Sequence, residues 1–348
     1  MTTTAPAPER AQARRRATAY PVRILGSGVH EPSVLMTSTE LDERYERPAG
    51  TTQARSGVAS RRWAGPDESS SRMAAGALRA AAEAAGTDLS DLDALIVSSV
   101  LPEQPMPTTS VLALRELGLA GGRTEAFDIN ASCIGFLTAL QVATVGIAAG
   151  RWDRVAVAAT ELASKGLNHA EVESSALFGD GAAAIVVGRS APEDASSVLA
   201  LRFATWPEGS DHCRIDAGGT RWNAVTPPPD PTAYLFRMDG RALLRQVAVH
   251  LPAFLEGLRE DSGPALDEVD VVVPHQASGV GLRYLRQRTG LPPEAVVDII
   301  GDHGNQVSAS LPTALHHAIS SGRLGRGQTA LLLGTGAGLS IGAVLLRY

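Results

Sequence analysis

Cysteine is scarce in this chain, with two in 348 residues, Cys133 and Cys213. Cys133 stands in DINASCIGFLTAL, where an apolar run ending at Ile129 gives way to a helical stretch reaching Ala149. A helix N-terminus offers unpaired N–H groups and a partial positive charge. Both favour thiolate over thiol, the form in which cysteine is a nucleophile. The residue's own N–H can also face a developing oxyanion. The alternative is a small buried hydrophobe. Cys213 has neither a helix start nor a histidine in view and reads as incidental. His275, in VVVPHQAS, follows the apolar run Asp270–Val273, which Pro274 stops. The C-terminal end of a buried strand is where α/β proteins place functional groups; a structural histidine is the alternative. Asn305, in GDHGNQVSASLPTAL, follows a glycine that permits close backbone approach. Alone it would read as a helix N-cap. His303, His316 and His317 make no clear ligand set with Cys133, so no metal is assigned.

Short apolar runs alternating with Ala-rich helical stretches position these residues. Strands are predicted from Val22 and over Leu95–Val100, Ala126–Ile129, Val155–Ala159 and Ala183–Val187, with a helix over Ser70–Ala85. The alternation implies an α/β architecture with helix-covered sheets. Residues 1–19 are rich in Thr, Ala, Pro and Arg, lack the apolar core of a secretory signal and read as a mobile tail. Residues 190–197 are polar and mark a boundary between halves 20–190 and 191–348.

The second half repeats the first. DLDALIV resembles EVDVVV, AAGRWDRVAVAAT resembles SSGRLGRGQTALLLGT, and GDGAAAIVVG resembles GAGLSIGAVLL, in the same order. Cys133 lies 17 residues before Gly150, and Asn305 lies 17 before Gly322. The two therefore take matching places in a duplicated chain.

Composition limits the function classes. With 44% hydrophobic and 20% charged residues the chain can bury a large core. Its net charge of −6 argues against non-specific nucleic-acid binding. Two cysteines make no disulfide scaffold and suit a reduced, cytoplasmic protein. No apolar stretch is long enough to span a bilayer, so no membrane role is expected.

DINASCIGF, FGDGAAAIVV, VVVPHQAS, GDHGNQVSASLPTAL and LLLGTGAGLSIGAVLLRY together resemble the β-ketoacyl-ACP synthase III family of thiolase-fold condensing enzymes, from about Tyr20 to Tyr348. The resemblance implies a thiolase fold, with duplicated α/β halves in αβαβα layers and the active site at their junction. It implies that Cys133 takes an acyl group as a thioester and that His275 and Asn305 hold the second thioester's carbonyl. On this reading decarboxylation yields an enolate, whose carbon attacks the acyl-cysteine. The oxyanion hole would be the Cys133 N–H and the backbone at Gly338. No resident cofactor is implied, because the CoA- or ACP-bound thioester is the substrate. A homodimer is implied, with acyl carrier protein as a possible partner.

Several positions depart from the family pattern. Thr51 stands where the family has a tryptophan that stacks on adenine, although Arg55 matches the arginine of that motif. Ser278 and Val280 replace an asparagine and a basic carrier-docking residue; Arg283, Arg286 and Arg288 offer a substitute patch or a solvated helix face. Met106 aligns with an aromatic that lines the acyl pocket from the neighbouring subunit, and a flexible Met there implies an acyl substrate other than plain acetyl. Glu161 and Asp180 read as structural hydrogen-bonding residues. Two other readings stand beside condensation: acyl transfer to an alcohol or amine with His275 as base, and a non-catalytic partner subunit.

Overall fold

Two sheets form the frame, and the computed structural model describes residues 19–348. The predicted tail over 1–19 lies outside the described residues, except for residue 19. The first sheet holds β1 (Val22–His30), β2 (Ala94–Ser98), β3 (Glu125–Ile129), β4 (Arg154–Glu161) and β5 (Gly181–Arg189), in the order β1-β5-β4-β2-β3. The second holds β6 (Ser197–Gly209), β7 (Val271–Pro274), β8 (Thr329–Gly336) and β9 (Gly338–Arg347), in the order β7-β8-β9-β6. The longer helices are α1 (Ser70–Ala85), α2 (Thr109–Leu117), α3 (Gly135–Ala148), α4 (Gly240–Ser262), α5 (Gly279–Arg288) and α6 (Ser310–Ser320).

The strand sequences are apolar on both faces because both faces are covered. In β2, Ala94 and Ile96 point to the inner core while Leu95 and Val97 point outward. That is the two-residue period of a strand. In β8, Ala330 and Leu332 point inward, and Leu331 and Leu333 outward. The inner core holds Phe136 and Leu140 of α3 with Leu311 and Leu315 of α6, packed against residues of both sheets. Outer helices α1 and α2 cover the first sheet, and α4 and α5 the second. The layers therefore run αβαβα, as the resemblance implies.

The two sheets share one pairing plan. β1 and β4 each pair antiparallel with β5, and β2 pairs parallel with β4 and β3. In the second sheet β6 and β8 pair antiparallel with β9, and β7 pairs parallel with β8. Where the counterpart of β3 would lie there is a single parallel bridge, Val272 to Val296. At this side the first sheet thus ends on the strand β3 and the second on β7 with that bridge, whereas at the other side both end on full strands, β1 and β6. Among the described residues no helix is long and apolar enough to cross a membrane.

The Ala-rich α1 packs close to β1. The Ser69 hydroxyl caps its start, and Gly86, with φ +58°, ends it. A Cβ on Gly28 would lie 2.4 Å from the Ala81 nitrogen and 2.7 Å from the Ala77 carbonyl oxygen. Gly28→Ala should therefore lower stability by about 1–3 kcal/mol, read as an earlier urea or thermal midpoint. Gly219→Ala, whose Cβ would meet nothing within 4 Å, should stay within about 0.5 kcal/mol of the parent.

Candidate active site

The loop after β3 delivers Cys133. Asn130 closes it locally: its Oδ1 accepts from the Ser132 N–H at 3.0 Å, and its Nδ2 donates to the Val100 carbonyl at 3.2 Å. Ser132 holds φ +51°, a conformation that a non-glycine residue keeps only when its surroundings impose it. α3 begins at Gly135, so Cys133 lies two residues before it. The turn between β8 and β9 lies against this loop, with the Gly336 Cβ position 3.4 Å from the Ala131 carbonyl oxygen. From that turn the Ala337 N–H, together with the N–H of Cys133 itself, reaches the sulfur. Gly338 follows with φ +84° and makes the turn. The N–H that touches the sulfur thus belongs to the residue before the glycine named from the sequence.

The thiol corrects one expectation. Helix-terminal position alone predicts a lowered pKa. In the fold, burial pushes the Cys133 thiol far above its usual range, and Cys213 and Glu161 push the same way. The two N–H groups pull it down but do not prevail. In the free protein Cys133 is a thiol. Cys213 is buried, and burial raises its pKa to about 12, so it too is a neutral thiol.

β7 delivers His275. Its backbone N–H donates to the Leu333 carbonyl on β8 at 2.8 Å, which extends the parallel pairing past Pro274. The ring is buried, and Nδ1 has no hydrogen-bond partner among the described residues. Burial lowers its pKa to about 4, so the imidazole is neutral at physiological pH. The neighbouring Gln276 does structural work. Its amide donates to the carbonyls of Pro274 and Val297 and accepts from the Ile299 N–H.

Asn305 is held by both halves of the chain. Its N–H donates to the Leu177 carbonyl at 2.9 Å, and its carbonyl accepts from the Gly179 N–H at 3.1 Å. Phe178 and Gly179 belong to the FGDG motif, which therefore clamps the Asn305 backbone. A Cβ on Gly179 would lie 2.3 Å from the His303 carbonyl oxygen. Asn305 Oδ1 accepts from the Val307 N–H at 2.8 Å, and Nδ2 donates to the Ala277 carbonyl at 3.2 Å. Val307 holds φ +54°. Asn305 is not a helix N-cap, since that position belongs to Gln306 for the 3-10 helix Val307–Ala309 and to Ala309 for α6.

Backbone links join the three sites. Cys133 meets the turn at the end of β8, β8 pairs with His275, and the carbonyl two residues beyond His275 takes the Asn305 amide. The end of the second sheet thus gathers a thiol, a neutral imidazole and a carboxamide. The imidazole and the carboxamide can both donate hydrogen bonds without carrying charge.

The other named residues fall outside this cluster's contacts. The Ser278 hydroxyl caps α5 through the Gly281 N–H at 3.1 Å, a structural use that Ser favours. Arg55 is exposed on the short helix Thr51–Ser56. Met106 is 80% exposed. Arg286 is ion-paired to Asp298 at 3.0 Å, and Val280 is half exposed where the family pattern has a basic residue. Asp180 accepts from the Ala64 and Ser164 N–H groups and the Ser164 hydroxyl, a structural role. Sequence reasoning missed Ala337, which has no side chain to signal it; only the flanking glycines mark the turn.

Comparison with known proteins agrees along the chain. A family model described as 3-oxoacyl-[acyl-carrier-protein] synthase III matches residues 127–206, and its C-terminal counterpart matches residues 260–348. The chain is 34% identical over 326 residues to the β-ketoacyl-[acyl-carrier-protein] synthase III of Aquifex aeolicus (strain VF5), covering 94% of this chain and 99% of that protein. It is 32% identical over 330 residues to the acetoacetyl-CoA synthase of Streptomyces sp. (strain CL190), covering 94% and 98%. The crystal structure of the Aquifex protein aligns with a TM-score of 0.84 over 94% of this chain and 100% of that one. Likeness of this extent, in sequence and in fold, makes the chain a member of the 3-oxoacyl-[acyl-carrier-protein] synthase III family of acyl-condensing enzymes.

Proposed function

We propose that Cys133 carries the acyl group and that His275 and Asn305 hold the oxygen of a malonyl-type thioester during decarboxylative Claisen condensation. One observation carries this reading: a half-buried thiol reached by backbone N–H groups shares the end of one sheet with a neutral imidazole and a carboxamide. In the first half-reaction the Cys133 sulfur attacks the donor thioester carbonyl. The carrier thiol departs with the proton, leaving the acyl-cysteine. The oxygen of that tetrahedral intermediate faces the N–H groups of Cys133 and the 337–338 turn.

In the second half-reaction the malonyl carboxylate leaves as carbon dioxide. Its bonding electrons pass into the enolate, whose oxygen takes hydrogen bonds from His275 and Asn305. The enolate carbon attacks the acyl-cysteine carbonyl, and the Cys133 thiolate is expelled as the β-ketoacyl product forms. Asn305 favours condensation over simple transfer to an alcohol or amine, which develops no enolate. The thioester supplies the activation, so the reaction calls for no resident cofactor. The carrier is CoA or acyl carrier protein. The half-exposed Val280 and the ion-paired Arg286 leave fewer free cations for an acidic carrier than the family pattern would.

The assembly is a homodimer in the cytoplasm on this reading. β3 is an open edge, and Leu101, Met106 and Val111 expose apolar side chains in the segments between it and β2. Pairing of two such edges would carry Met106 toward the partner's acyl pocket. Met106, in place of an aromatic, suits a donor other than acetyl. Intact-protein mass spectrometry after incubation with acetyl, longer and branched acyl-CoA tests both claims. The expected result is one acyl group on the Cys133 peptide, with a longer or branched donor loading fastest. Preferential acetyl loading would refute the donor class, and an adduct elsewhere would refute the nucleophile.

A further inference from the structure

Glu161 ends β4 and is 2% exposed, yet no cation neutralises it in the contacts it makes. Its carboxylate accepts from the Val100 N–H at 2.9 Å and from the Ser308 hydroxyl. The N–H groups of Leu101 and Ser308 also reach it. One carboxylate thus gathers donors from two segments distant in sequence. Ser308 lies three residues past Asn305, inside the turn that holds Val307 at positive φ. Val100 follows β2, and its carbonyl receives the Asn130 amide whose oxygen holds the Ser132 N–H. A continuous hydrogen-bonded path therefore runs from the Asn305 turn through Glu161 and Val100 to the residue before Cys133.

We propose that Glu161 is a positioning residue whose carboxylate fixes the Asn305 turn against the strand end that anchors the Cys133 loop. It touches neither substrate nor reacting atom in the proposed mechanism. The inference rests on reading Asn305 as an enolate-holding group. Glutamine is close to glutamate in shape, but it turns one acceptor oxygen into a donor facing N–H groups that already donate. The Asn305 turn, bonded to the carboxylate directly, should shift more than the Cys133 loop, which is reached through Val100 and also held by its own turn. A misplacement of about 1 Å in a reacting group can cost about 100-fold in rate.

The test separates the half-reactions in Glu161→Gln, Ser308→Ala and Asn305→Ala. Acyl transfer to Cys133 is followed in a single turnover by intact mass spectrometry, and condensation by product formation from malonyl-CoA. Glu161→Gln should acylate within about threefold of the parent while its condensation kcat falls about 10- to 100-fold. Ser308→Ala, which removes one donor only, should show the same split at about 3- to 10-fold, and it carries the test if Glu161→Gln does not fold. Equal losses in both half-reactions, or none, would overturn the proposal. Normal condensation in Asn305→Ala would instead overturn the reading of Asn305 on which it rests.

Discussion

Cys133→Ser should yield a folded protein that gains no acyl mass from any thioester and condenses at least about 10⁴-fold more slowly than the parent. The hydroxyl matches the thiol in shape and hydrogen bonding but is a far weaker nucleophile, and the site contains no strong base aimed at it. The half-buried thiol already sits well above its usual pKa, so its reactivity depends on sulfur itself and on the N–H groups around it. Cys213→Ser serves as the internal control. Cys213 is buried but receives no N–H from the β8–β9 turn in the contacts described. Its substitution should leave acylation within a few-fold. Intact mass spectrometry with circular dichroism decides the matter: a wild-type adduct on the Cys133→Ser protein would remove Cys133 from the mechanism.

Loss of either proposed enolate donor should separate the two half-reactions as sharply. Asn305→Ala or His275→Ala should reduce malonyl decarboxylation and condensation by about 10²- to 10³-fold, the usual effect of one missing oxyanion donor. Cys133 should still accept its acyl group. The pH dependence has a definite sign. The His275 pKa is lowered to about 4 by burial, so the ring is neutral above that value and charged only below it. The neutral form is the one present during catalysis, and its contribution should hold across pH 5 to 8 and fall as pH drops through about 4. A decarboxylation profile with a limb near the ordinary histidine pKa, abolished in His275→Asn, would refute this account.

Much of the frame was legible because strongly periodic or uniformly apolar segments leave few alternatives. α1 occupies the predicted span Ser70–Ala85, with Ser69 and Gly86 as its caps. The strand predictions for β2 to β5 lie within about two residues of the observed bounds, a usual margin for sequence-based assignment. The internal matches found in sequence correspond to β2 with β7, β4 with β8, and β5 with β9, and these pairs take the same places in the two sheets.

Other features left no local mark. The electrostatics of Cys133 reversed expectation because a helix-terminus argument considers local backbone, whereas burial and Glu161, 28 positions away in the chain, come from tertiary packing. Ser132 and Val307 take positive φ although their residue types give no hint of it. Ser278 caps α5 through the Gly281 N–H, a bond that its place after the strand did not announce. Glu161 read as a structural hydrogen-bonding residue, but the sequence did not say to what it is bonded. Its partners Val100 and Ser308 lie 61 and 147 positions away, beyond any local pattern.

The unequal ends of the two sheets bear on how copies of this chain can associate. An open strand edge is a template for another strand, and a molecule with two equivalent open edges can add neighbours without limit. Here the duplication has been trimmed: β3 is a full strand, while its counterpart is reduced to the single bridge at Val296. At these two matching ends only β3 offers a full strand, so a pairing of two copies there would use the edge of both and could not be repeated at the corresponding end of the second sheet.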